Sequence, residues 1–235
     1  MLSALYPRGV MLLLVVSPVT SMAQSNPERL ERSFWLGGGA NKEPFVLELQ
    51  EQKRLVYVDA TGAIIKGRWK RRGTLIELET EHKSLKFSGT VDGDLMKGTA
   101  SGKKGAQWEW SATRQPVSTE RSLPTYAALA SSARIQGSVM LDLTVNAAGT
   151  VISVNAISGH PLLRKLSTEA ARDWRFRPIT DGLLRVARLL FTFRILDRER
   201  DERVRSPVFH SAYRIEIRRG IPSVQSRRKH NRQLI

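Results

Sequence analysis

The chain has 235 residues, a formal net charge of +16 at pH 7, 41 % hydrophobic residues and no cysteine. The hydrophobic content is typical of a folded chain rather than a disordered one. The absence of cysteine excludes disulfides, cysteine-ligated zinc and a thiol nucleophile, and the positive charge favours an anionic partner or surface.

The first 23 residues have the pattern of an export signal. Arg8 precedes the apolar run Val10–Val16, and Ser21 and Ala23 occupy the small-residue positions of a signal-peptidase site. The run is shorter than the roughly 20 apolar residues that a membrane-spanning helix needs. Residues 1–23 are therefore predicted to be a cleaved signal peptide, and an uncleaved membrane anchor is the alternative.

Residues 34–113 alternate apolar and polar residues between frequent turn signals, and no helical period is present. Asp92-Gly93 favours a tight hairpin turn. The pattern predicts an all-β antiparallel meander, closed as a small barrel or folded as a sandwich. Gly37–Gly39 lacks the Lys-Ser/Thr of a phosphate loop and is interpreted as a flexible turn. The seven predicted strands read FVLELQ, RLVYVD, AIIKGRWK, TLIELET, LKFSGTV, LMKGTA and QWEWSA.

Four tryptophans lie in this β domain, and they allow two interpretations. They either line a cavity for one small ligand or fill the core of a small β domain. The four are Trp35, Trp69, Trp108 and Trp110.

A polar segment with two prolines, residues 114–123 and Pro124, is predicted to link the β domain to a second domain. After it, "TYAALASSAR" predicts a short helix, "GSVMLDLTV" a strand, "NAAG" a hairpin turn and "TVISVNAI" the returning strand. We expect one face of the first strand to carry Val139, Leu141, Leu143 and Val145, and one face of the second to carry Ile152, Val154 and Ala156.

The segment "GHPLLRKLSTEAARDW" predicts a helix with Pro161 at its first position, where the missing N–H costs nothing. Pro178 prevents the helix from continuing. In "WRFRP" we expect Trp174 and Phe176 to face the core and Arg175 and Arg177 to face water. The predicted apolar stripe consists of Leu162, Leu163, Leu166, Ala170 and Trp174.

Residues 133–178 resemble the C-terminal domain of the TonB energy-transducer family, and with the following strand the resemblance covers residues 124–196. It implies an α+β domain in which an antiparallel sheet carries two helices on one face. The shared motifs are "RIQG", the "G-x-V" hairpin, "SGHPLL" and "WRFRP". They contain Arg134, Gly137, Gly149, Gly159, His160, Pro161, Trp174, Phe176 and Pro178.

The chain departs from the family pattern at several points. Tyr126 is followed by Ala127, where family members commonly have Tyr-Pro, and no long Pro-rich spacer is present. A cleaved signal would also remove the anchor that couples TonB to its motor. The sequence therefore favours recognition without energy transduction.

The resemblance implies that an extended segment of an outer-membrane TonB-dependent transporter adds to an edge of the sheet in the periplasm. The predicted edge strand is Val186–Leu196, with Leu189, Phe191, Phe193 and Ile195 toward the core; the alternative is a core strand without a binding role. The candidate peptide-binding residues are Val186, Arg188, Leu190, Thr192 and Arg194.

Residues 197–235 are predicted to hold one more strand and a basic tail. Tyr213, Ile215 and Ile217 alternate with charged residues, so we expect this strand to pair with Val186–Leu196 and to fill the transporter edge. The chain from Arg214 onward has seven Lys or Arg against one Glu. That charge favours anionic cell-wall polymer or a membrane surface, while export and the lack of a stacking motif argue against nucleic acid.

No catalytic pattern is found in the sequence. The four histidines lack paired metal-ligand spacing, and no G-x-S-x-G motif is present. Ser158 and His160 are explained by helix capping. We expect a non-catalytic protein without a cofactor or metal. The alternatives are a membrane-anchored energy-transducing transport component and an envelope structural protein that binds anionic cell-wall polymer.

Overall fold

The computed structural model describes residues 29–39, 43–197 and 206–221. The predicted signal peptide and the basic tail from residue 222 lie outside the described residues. Within those ranges, no helix has the length and apolar character needed to cross a membrane.

The N-terminal part is a closed antiparallel barrel of eight strands, in which each strand pairs with the next and β1 pairs with β8. Short 3-10 turns at Glu51–Lys53 and Glu81–Lys83 join β2 to β3 and β5 to β6. The structure thus has the barrel form of the predicted meander. The strands are β1 (Ser33–Gly38), β2 (Pro44–Leu49), β3 (Arg54–Val58), β4 (Ile64–Arg72), β5 (Leu75–Thr80), β6 (Leu85–Asp92), β7 (Leu95–Gly102) and β8 (Gln107–Arg114).

The strand β1 was missed by the sequence analysis, and the interpretation of Gly37 and Gly38 as a flexible turn is wrong. Both glycines lie in β1 and pair with β2 and β8. A Cβ at Gly37 would lie 2.7 Å from the Ser111 carbonyl oxygen, closer than real Cβ contacts allow. Glycine is needed there because the closing strand approaches its neighbours so tightly.

The barrel interior is a packed apolar core. Trp35, Trp69 and Trp110 are at most 3 % exposed and belong to one cluster with Phe45 and Phe87, while Trp108 is partly buried and packs against that cluster. The tryptophans therefore fill the core, as in the second of the two interpretations.

The second part is a five-stranded sheet with helices on one face, and its strand order is β11-β10-β13-β15-β14. The expected α+β architecture is present, but β13 and β15 are parallel, so the sheet is not purely antiparallel. The predicted linker contains a short strand, β9, that pairs with β12. The elements are β9 (Ser118–Glu120), α1 (Ala128–Ser132), β10 (Gly137–Val145), β11 (Val151–Ser158), α2 (Pro161–Arg172), β12 (Arg175–Phe176), β13 (Arg185–Asp197), β14 (Val208–Phe209) and β15 (Arg214–Ile221).

One face of β10 forms the centre of this domain's core, as predicted. Its four expected residues, from Val139 to Val145, are fully buried. The prediction for Ile152 is wrong, because the β10–β11 register shifts at Thr144/Val145 and leaves Ile152 as an extra residue that is 56 % exposed. Val154 and Ala156 do pack against the core.

Helix α2 begins at Pro161, and its N-cap His160 accepts a hydrogen bond at Nδ1 from the Leu162 N–H at 3.3 Å. Leu162 itself is exposed, so its place in the apolar stripe is wrong: its neighbour Leu163 in the same turn faces the core instead. The residues that α2 buries are Leu163, Ser167, Ala170 and Ala171.

The "WRFRP" segment takes the predicted alternation. Trp174 and Phe176 are buried, while Arg175 is half-buried and Arg177 is exposed. The Trp174 Nε1–H donates to the Ser122 carbonyl at 2.7 Å, which ties the linker to the core.

The face of the sheet opposite the helices packs against the outside of the barrel. Val46, Val56 and Val58 on β2 and β3 form one buried cluster with Met140 of β10 and Leu190 of β13. The sheet is therefore the middle layer between the helices and the barrel.

Candidate binding edge

The side of β13 opposite β10 is where the sequence predicts strand addition. The Leu190 N–H donates to the Tyr213 carbonyl at 2.8 Å, and the Arg188 N–H donates to Gln115 Oε1 at 2.7 Å. Successive N–H groups of a strand point to opposite sides, so residues two apart direct theirs to the same side. All five candidate residues therefore direct their N–H groups to this side. They are Val186, Arg188, Leu190, Thr192 and Arg194, and all lie on β13.

Strand β15 lies along most of this side, so the predicted edge strand β13 is the middle strand of the five-stranded sheet. It runs parallel to β13 with Leu190 opposite Arg214 and Asp197 opposite Ile221. The expected pairing of the later strand with β13 is therefore confirmed. Three of the five candidates, Leu190, Thr192 and Arg194, have a partner on β15; that this pairing keeps a guest out stays a prediction.

The apolar side chains next to and on β15 belong to the domain core. Tyr213, Ile215 and Ile217 are each at most 5 % exposed and share one cluster with Trp174. The Tyr213 ring packs edge-on against Phe34 with the centroids 4.9 Å apart. Its hydroxyl donates to the Pro116 carbonyl, and burial raises the pKa of Tyr213 above its ordinary value. The added strand thus completes the core rather than lying loosely on it.

The barrel holds β15 through a buried ion pair. Glu48 of β2, 1 % exposed, accepts hydrogen bonds from Arg214 Nε at 2.6 Å and Nη2 at 2.8 Å. It also accepts from Ser211 Oγ at 2.8 Å. Such bidentate pairs are among the stronger hydrogen bonds, and removing one partner would leave the other charge buried. The two parts of the chain are thus coupled at the first residue of β15.

The remaining length of the edge is closed by a side chain. Gln115, 3 % exposed, follows β8 and accepts from the Arg188 N–H in the place of an added strand. Arg188 in turn donates from Nε and Nη2 to the two oxygens of Asp142, both at 2.6 Å. Val186 is partly exposed and lies just before the closed stretch.

A charged cluster lies where β13, β15 and β14 meet. Glu216 accepts from Arg218 Nε at 2.7 Å and lies 3.0 Å from His210 Nε2. Burial raises the pKa of Glu216, but its hydrogen bonds and the charges of Arg218 and Arg194 outweigh burial and hold that pKa below the ordinary value. The cluster borders an open cavity of about 440 Å³ that Ile64 of the barrel also lines.

The two edge strands of the sheet are β11 and the short β14, and no described strand pairs with the outer side of β11. Two exposed residues, Ile152 and Ile157, stand at register shifts of the β10–β11 pair. Bulges of this kind bend a strand and disfavour edge-to-edge pairing. The β13 side therefore remains the candidate.

Sequence reasoning did not find Glu48 or Gln115. The only local signal for Glu48 is a carboxylate within the apolar strand Pro44–Leu49, whereas Gln115 stands in a polar segment without any distinguishing pattern. The motif residues are found where the elements turn or end: Gly149 closes the β10–β11 hairpin, and Gly159 with His160 precedes α2.

Residues 122–195 match the family model described as Gram-negative bacterial TonB protein C-terminal. Residues 122–195 therefore form a TonB C-terminal domain. The matched range ends within β13, so the barrel and β15 lie outside it. The chain matches no curated protein.

Proposed function

We propose that this is an exported, non-catalytic periplasmic protein that binds an extended segment of an outer-membrane TonB-dependent transporter by strand addition at β13. The observation that carries the proposal is that β13 already accepts an added strand along this side, namely β15 of its own chain. The TonB C-terminal domain supplies the class of partner. The export pattern of residues 1–23 supports a periplasmic location.

A transporter segment must displace β15 to reach the β13 backbone. Displacement exposes three buried side chains, and burial of each such residue stabilises by about 1.5–3 kcal/mol. It also breaks the contacts of Arg214 with Glu48. The transporter segment therefore has to fill the core positions that these side chains leave. We expect it to carry apolar residues two apart, as Tyr213, Ile215 and Ile217 are.

The test uses the chain without its first 23 residues and exploits the absence of native cysteine. Arg194→Cys with Arg218→Cys places two thiols on register partners of β13 and β15. Neighbouring strands lie within the Cα separation that a disulfide requires. Glu48→Gln is added to weaken the hold on β15. Fluorescence anisotropy with a panel of transporter-derived peptides, and with scrambled peptides as the control, reports binding.

We expect peptide binding by the reduced protein and at least a tenfold loss after oxidation. A second cysteine pair, Thr90→Cys with Lys97→Cys on the β6–β7 partners of the barrel, controls for the oxidation itself. Equal binding by the locked and unlocked proteins would show that β13 is not the site.

The two hypotheses, a cleaved export signal and a membrane-anchored transport component, predict different first residues for the mature protein. N-terminal sequencing of the protein from its native envelope should give Gln24 as the first residue if the signal is cleaved. A start at Met1 would support the anchored alternative instead.

A further inference from the structure

The outward face of β4 carries a line of four cations, which we call the β4 cationic row: Lys66, Arg68, Lys70 and Arg72. All four are exposed, and they alternate with inward residues such as the buried Trp69. Alternate residues of a strand lie about 6.8 Å apart, so the row is about 20 Å long.

The row has no ion pair with any residue in the described part of the chain. Arg54 of β3 lies directly opposite Arg68 in the barrel register. Like charges opposite each other on neighbouring strands are destabilising, so the Arg54–Arg68 pairing by itself opposes the fold. An anion bound along the row would remove the repulsion.

The neighbouring strand limits the shape of that anion. On β5, Glu77 stands opposite Lys70 and Glu79 opposite Arg68, so the positive surface is only one strand wide on that side. A flat anionic membrane would meet these two carboxylates together with the cations. A narrow linear polyanion that follows β4 would meet the cations alone.

The row also leads toward a second feature. Ile64, two residues before Lys66 on the same strand, lines the open cavity of about 440 Å³ between the barrel and the sheet. Arg194 lines the same cavity with its side chain 59 % exposed, and its Nη1 lies 3.7 Å from the buried Glu216 carboxylate, which leaves most of the guanidinium open to solvent. A polymer lying along β4 would therefore reach another cation at the junction of the two domains.

We propose that the β4 cationic row binds a linear anionic polymer of the cell-envelope type, with one carboxylate or phosphate in each repeating unit. Electrostatic complementarity along a line supplies the affinity, and the acidic β5 face excludes planar surfaces. The inference is independent of strand addition at β13, because it uses a different part of the chain.

The experiment measures binding of fluorescent polygalacturonate, which has one carboxylate per sugar, to the chain without residues 1–23. The test variant combines Lys66→Gln, Arg68→Gln, Lys70→Gln and Arg72→Gln. The matched control removes four charges from other exposed positions: Lys97→Gln, Lys103→Gln, Lys104→Gln and Lys165→Gln. Both variants have the same net charge and the same basic tail.

We expect the test variant to lose affinity about tenfold or more, since each exposed charge contact contributes modestly, and the control to bind within about twofold of the unchanged chain. Added salt should weaken binding of the unchanged chain more steeply than that of the test variant. A Lys66→Arg, Lys70→Arg variant should bind normally. Unfolding midpoints of all variants are compared to confirm that each is folded.

Three results would overturn the proposal. The first is an equal loss in the test and control variants, which would assign binding to net charge or to the tail. The second is no binding of the polymer by the unchanged chain at low salt. The third is that the unchanged chain binds vesicles with 30 % phosphatidylglycerol more tightly than it binds polygalacturonate, and that the test variant loses this vesicle binding. That result would assign the row to a lipid surface.

Discussion

Glu48→Gln is the substitution that tests most directly how the barrel controls β15. The carboxylate accepts two hydrogen bonds from the Arg214 guanidinium, whose side chain is 12 % exposed. Breaking a buried ion pair by removing one partner costs about 3–5 kcal/mol, and the remaining amide oxygen recovers part of that. We therefore expect a loss of about 3 kcal/mol from the free energy that keeps β15 in place.

A loss of this size raises the population with β15 released by about a hundredfold, since 1.4 kcal/mol is a factor of ten in an equilibrium. Native-state hydrogen exchange measures that population. The Leu190 and Thr192 amides, which face β15, should exchange about a hundredfold faster, while amides between β10 and β11 should change much less. Glu77→Gln, an exposed carboxylate on β5, is the matched control and should change neither.

Two results would refute this reasoning. Uniform acceleration across β10, β11 and β13 would mean that β15 leaves only when the whole domain unfolds. Unchanged exchange at Leu190 and Thr192 would mean that the Glu48 pair does not hold the strand.

Three further substitutions test the contacts around the edge. Glu216→Gln should lower the free energy of unfolding at pH 7. The difference in that free energy from the unchanged chain should shrink as the pH falls below about 4.3, because a carboxyl group with a lowered pKa stabilises the fold only above its pKa in the unfolded chain. A difference that stays constant in urea unfolding from pH 7 to 3 contradicts this. Tyr213→Phe keeps the ring but leaves the Pro116 carbonyl without its donor, so we expect a loss of about 1–2 kcal/mol by denaturant unfolding; no loss would mean that the hydrogen bond is unimportant. Gly149→Ala should cost more than about 2 kcal/mol, because Gly149 has a φ of 80° and a Cβ would lie 2.0 Å from the Phe176 carbonyl oxygen; a thermal midpoint close to that of the unchanged chain would refute the steric argument.

Local sequence patterns were sufficient to predict most of the strands and helices of the second domain. The alternation of Leu189, Phe191 and Phe193 with mostly polar residues indicated the buried face of β13, and Pro161 marked the start of α2. These predictions hold because side-chain direction in a strand and the first turn of a helix depend on neighbouring residues. The TonB C-terminal likeness was visible for the same reason, since its motifs mark turns and helix ends.

Local patterns did not predict the burial or the pairing of a residue correctly where strand register or a distant contact determines it. Ile152 left the core because the pairing with β10 shifts by one residue, and strand β1 was missed because its glycines suggest a turn. In both cases the neighbouring strand determines the outcome, and periodicity within one segment carries no information about that strand.

The sequence by itself determined that an alternating strand, Tyr213 to Ile217, follows a TonB C-terminal domain and suits its sheet. Only the tertiary structure decided what holds that strand in place. Glu48 and Arg214 are 166 residues apart in the chain, and Gln115 and Arg188 are 73 apart. Contacts over such separations arise only when the barrel packs on the sheet, because the apolar faces of both must be buried together.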